Sequence, residues 1–82
     1  MFEYWIIEMQ SAADGTGGCF SWGFHDKGEA EGKYLATRES ARQSNIAVHT
    51  VLFLTSRGDR VERPAVYIHP QETPQTPQTP EE

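Results

Sequence analysis

Lys33, Tyr34, Arg38 and Arg42 fall within ten residues, and a second basic group, Arg57, Arg60 and Arg63, follows near the end of the chain. Guanidinium and ammonium groups bind carboxylate and phosphate, arginine in a bidentate fork. An aromatic ring beside them stacks on a base. Tyr34 and Trp22 can supply that ring, and His49 adds a group that both donates and accepts. The expected ligand-binding set is therefore Lys33, Tyr34, Arg38, Arg42, His49 and Trp22, and the expected ligand is anionic and nucleotide-like. Arg57, Arg60 and Arg63 offer a different use, as a basic hairpin for nucleic acid. The plainer reading of both groups is a solvated charged surface.

Other chemistries find less support. His25, His49 and His69 are separated by 24 and 20 residues, which is no metal-ligand spacing. His49 lies in an apolar run, where a hydrogen-bonded structural histidine is the ordinary case. Cys19 has no basic or histidine neighbour in sequence, so it reads as a small packed hydrophobe. Gly15-Thr16-Gly17-Gly18 lacks the lysine and hydroxyl ending of a phosphate loop and leads into a strand, so it reads as a hairpin loop. Glu29, Glu31 and Glu39 have no nucleophile or histidine at a set distance, which disfavours acid–base catalysis. Arg57-Gly58-Asp59 has the composition of any turn. No catalytic residue, metal site or cofactor is expected.

The elements that must position these groups centre on residues 26–54. Asp26 followed by Glu29 has capping-box spacing. Ala30, Tyr34, Thr37, Ala41 and Ser44 then recur at steps of three and four, one face of a helix. Gly28 and Gly32 weaken its first turns, so the helix is expected most firmly over 33–43. Residues 47–55 switch to a period of two, with Val48, Leu52 and Leu54 on one face and Ala47, Val51 and Phe53 on the other. Residues 2–10 are likewise apolar on both faces, which marks both strands as central. Residues 19–25 are apolar on one face only, through Phe20, Trp22 and Phe24. Residues 60–69 form a last strand that contains Pro64, which suits an edge. The expected fold is α+β: a four-stranded antiparallel sheet in the order 2-1-3-4, with one helix on one face.

Eighty-two residues hold one domain, placed at 1–70, and the Thr-Pro-Gln repeats of 71–82 read as a disordered tail. The net charge of −5 owes three acids to that tail (Glu72, Glu81 and Glu82). Residues 1–70 carry nine acids against seven bases, a net of −2. That balance disfavours a broad electrostatic affinity for nucleic acid. A single cysteine excludes an internal disulfide, and no apolar run reaches the ~20 residues of a membrane span. A cytoplasmic protein with no membrane partner is expected.

Two central strands with two apolar faces need two covers, and the chain offers one slender helix. Each large side chain left wet forfeits ~1.5–3 kcal/mol of burial. A second copy of the chain is the simplest cover, so a homodimer or larger homo-oligomer is expected.

Glu31-Gly32-Lys33-Tyr34, Ser40-Ala41, Ser44, Val48-His49 and the turn Ser56-Arg57-Gly58-Asp59 resemble small phage and prophage proteins of ββαββ pattern. In these a helix near a Lys-Tyr pair runs into a Ser…His strand and a closing hairpin. The resemblance covers residues 29–69 and points to Lys33, Tyr34, Ser44 and His49. It implies a non-enzymatic accessory protein of a mobile element. Such a protein would bind a host protein or a nucleotide-like ligand stoichiometrically, in a counter-defence role. A nucleic-acid-binding regulator is the first alternative, and a small hydrolase or nuclease the last.

Overall fold

The structure, a computed structural model, describes residues 1–70; the expected Thr-Pro-Gln tail lies outside them. Its elements are β1 (Tyr4–Ser11), β2 (Gly17–Phe24), α1 (Lys27–Gln43), β3 (Val48–Thr55) and β4 (Ala65–Ile68). The strands form one sheet in the order β2-β1-β3-β4, with every pair of neighbours antiparallel. This is the expected α+β fold. Strands β2 and β3 both run against β1, so they are parallel to each other, and α1 must cross β1 to join them.

Local chemistry sets the boundaries. Asp26 accepts the Glu29 N–H at 2.9 Å and caps α1, although Glu29 sends no side chain back to complete a box. The cap and the packing of Ala30 hold the first turns despite Gly28 and Gly32, so the helix begins at Lys27, directly after the cap expected at Asp26. The Ser44 hydroxyl takes the Ile46 N–H at 3.0 Å and turns the chain toward β3. The β1–β2 hairpin closes on Asp14, whose carboxylate accepts from the Thr16 N–H and hydroxyl, with Gly15 at φ +93. Those two bonds hold the Asp14 carboxyl below its usual range. Strand β4 is shorter than expected. Pro64 precedes it rather than lying inside it, and Arg60 makes only an isolated bridge to Leu54.

The two sheet faces differ sharply. On the helix side, Ile6, Val51 and Phe53 meet Ala30, Tyr34 and Ala41 in a closed core. Tyr34 and Phe53 rings pack at 5.3 Å, and Tyr4 adds an edge contact to Phe53. On the other side, register aligns Trp5 with Leu54 and Gly23, Ile7 with Leu52 and Ser21, Met9 with Thr50 and Cys19, and Val48 with Ile68. None of the chain's described elements lies over this second face except Phe2. Its ring folds onto Gly23, where a Cβ would lie 2.5 Å from it, and meets Trp5 edge-on at 5.5 Å. Met9, Val66 and Ile68 are exposed there. No described helix is long and apolar enough to cross a membrane.

Candidate functional site

A helix is ~10 Å across, whereas four strands at ~4.8 Å span nearly twice that. Helix α1 therefore covers β1 and β3 and leaves a cleft along each flank. These two clefts receive Lys33, Trp22, Arg38 and Arg42 of the expected ligand-binding set, but they divide them. Successive residues turn ~100° on a helix, so Lys33 lies about 140° from Arg38 and 180° from Arg42. One basic face on this helix was never available.

The first cleft, about 320 Å³, lies toward β4 and is lined by Leu35, Arg38, Glu39, Arg42 and Tyr67. The Arg38 Nε donates to the Tyr67 hydroxyl at 3.0 Å, and its guanidinium stands 5.4 Å over the Tyr34 ring. The Tyr67 bond leads in holding Arg38 more firmly protonated than usual. Arg42 forms a two-bond pair with Glu39 three residues earlier, Nε to Oε1 being 3.2 Å. That pairing, with a further bond from Gln43, holds the Glu39 carboxyl below its usual range. Half the positive charge of this cleft is thus answered within the helix.

Tyr34 does not stack on anything outside the fold. It is buried, and its hydroxyl donates to the Arg63 carbonyl at 2.9 Å, tying the helix to the segment before β4. Burial pushes its phenol above the usual range, against an opposing pull from Arg38. The expectation that Tyr34 offers a stacking face is corrected: an aromatic on the apolar stripe of the helix goes to the core.

The second cleft, about 190 Å³, lies toward β2 and is lined by Glu8, Trp22, Lys33, Ala36, Thr37 and Ser40. The Lys33 ammonium stands 4.1 Å from the centroid of the Trp22 ring, and Phe20 lies beside Trp22 in a near-parallel stack. Glu8, mostly buried, accepts from the His49 Nδ1–H at 2.8 Å, the two side chains being 10% and 3% exposed. The opposite ring nitrogen, His49 Nε2, is buried without a hydrogen-bond partner. His49 also meets the His69 ring edge-on at 5.9 Å. His69 in turn donates through Nε2 to the Ala41 carbonyl at 2.7 Å, satisfying the helix end.

Glu8 is the residue that the sequence reading missed. A signal was available: it is the one charged residue in β1, set on the same face as Tyr4 and Ile6, where burial demands a partner. Its partner, 41 positions away, could not be read from spacing. Two of the positions marked by the phage-protein resemblance beyond Lys33 and Tyr34 also have structural tasks, Ser44 in the turn and His49 in this pair.

The basic hairpin does not converge. Arg57 lines a shallow depression with Glu3 and Asp59, while Arg60 and Arg63 line another with Glu62. Each arginine of this group therefore shares its surroundings with a carboxylate. Among the described residues no three His, Cys, Asp or Glu side chains are grouped to hold a metal. No family model matches this chain, and neither a curated protein nor a solved structure is significantly similar to it.

Proposed function

We propose that this chain is a non-catalytic binding protein that works as a homo-oligomer, two copies meeting through their uncovered sheet faces. One observation carries the reading. Fourteen strand positions point to that face, and none bears a charge; eight are Trp5, Ile7, Met9, Val48, Leu52, Leu54, Val66 and Ile68. Depletion of charge at the centre of a patch is the compositional mark of an interface. It also lets two acidic chains approach without repulsion across the contact. Three strands of eight residues and one of four cover roughly 400–500 Å², so two such faces approach the ~1,000 Å² of a specific interface.

Pairing in this way leaves both helices, and the clefts beside them, facing outward. The oligomer would then present its binding surfaces in symmetric pairs. Action by stoichiometric binding in a mobile-element setting fits the Lys33-Tyr34, Ser44 and His49 pattern, and belongs to the same proposal. The test is sedimentation equilibrium at micromolar concentration. A dimer is expected for the native chain and a folded monomer for Leu52→Asp, which sets a charge at the centre of the contact. A native chain that sediments as a monomer refutes the reading.

A further inference from the structure

The cleft between α1 and β2 has a chemistry that the dimer does not explain. Resting on the reading of the chain as a binding protein, we propose that this cleft holds one sugar ring bearing a phosphate. The charge arrangement narrows the ligand class. Glu8 is fixed by His49, and its second carboxylate oxygen accepts no bond from a described residue. Lys33 lines the same cleft over Trp22, and no described carboxylate pairs with it. A wholly anionic ligand meets repulsion from Glu8, and a cationic one meets Lys33. A neutral ring with hydroxyl groups, carrying an anion on one side only, suits both groups.

The remaining groups fit the ring. Carboxylates accept from sugar hydroxyls, the arrangement that dinucleotide folds use for ribose. The Thr37 and Ser40 hydroxyls line the same cleft and make no hydrogen bond to any described residue, so both can donate and accept there. Lys33 covers the Trp22 ring, and Phe20, stacked beside Trp22 and 48% exposed, extends the aromatic shelf beyond the cleft lining. Such a shelf takes the C–H face of a sugar or, beyond it, a base. A volume near 190 Å³ lies below the ~300 Å³ at which drug-sized sites begin, and it admits a single ring.

Calorimetry on the full chain, with ribose 5-phosphate, AMP, ribose and inorganic phosphate as probes, tests this. Ribose 5-phosphate or AMP should bind at least tenfold tighter than ribose or phosphate alone. The tighter of the two identifies whether the source is a free sugar phosphate or a nucleotide. Lys33→Gln and Glu8→Gln should each weaken binding roughly 10- to 100-fold, the scale of one charge-assisted hydrogen bond. Lys33 is only half-buried and makes no hydrogen bond within the described fold, so its variant keeps the test decisive if Glu8→Gln unfolds. Heat from neither phosphorylated probe at millimolar concentration overturns the proposal, as does phosphate alone binding as tightly as the sugar phosphates. Sedimentation run on the same samples separates the two readings: a dimer that binds neither probe sinks only the ligand site.

Discussion

Glu8 and His49 form a buried pair whose removal should be non-additive, with a change of sign. The bond is 2.8 Å and the side chains are 10% and 3% exposed, so little solvent screens it. Replacing His49 by Leu leaves the Glu8 carboxylate in an apolar wall with its main partner gone. Breaking one side of a buried pair costs ~3–5 kcal/mol. Glu8 borders the cleft and can recover some hydration, so about 2–3 kcal/mol is expected here. Glu8→Leu alone leaves His49 with both ring nitrogens unpartnered, at a similar cost. The double variant Glu8→Leu/His49→Leu removes both polar groups and the native orphan at His49 Nε2 together. Paired hydrophobic replacement of this kind is often neutral or stabilising. His49→Leu should therefore destabilise the native chain and stabilise the Glu8→Leu chain. Urea or thermal unfolding at one fixed protein concentration measures all four, since oligomerisation makes the midpoint concentration-dependent. For a domain of this size each kcal/mol moves the midpoint by roughly 4–8 °C. Single effects that add to within ~0.5 kcal/mol would mean that the two groups are not coupled, and would refute the argument.

Three further outcomes follow from individual contacts. Asp26→Ala removes the cap of α1 and should cost about 1 kcal/mol in chemical unfolding, with Asp26→Asn close to native. Tyr34→Phe deletes the bond to the Arg63 carbonyl and should cost ~0.5–1.5 kcal/mol. It should also change alkaline behaviour. The folded phenol ionises above its unfolded value, so its contribution is complete below pH ~10 and declines as pH rises toward the folded pKa; the Phe variant should lose that decline. Ala41 is fully buried where the helix lies on the sheet, and Ala41→Leu should cost ~1–3 kcal/mol by overpacking, read from the thermal midpoint.

What the chain alone determines is its layer structure. Alternation in residues 2–10 and 47–55 marks two central strands, one-sided alternation in 19–25 marks an edge, and Ala30, Tyr34, Thr37 and Ala41 mark the buried stripe of the helix. All of these are short-range periodicities, set by the backbone geometry of each element, so they survive reading one segment at a time. They already imply the strand order and an apolar face without a cover. The site is another matter. Glu8 meets His49 across 41 residues, and Lys33 reaches Trp22 only because a narrow helix lies over the middle of a wider sheet and leaves its flank open. Tyr34, promising as a stacking group in sequence, is drawn into the core by the same stripe that makes the helix amphipathic. Which polar groups share a cleft depends on how the crossover seats α1 over β1 and β3. That seating is decided by packing between distant segments, which no local pattern records.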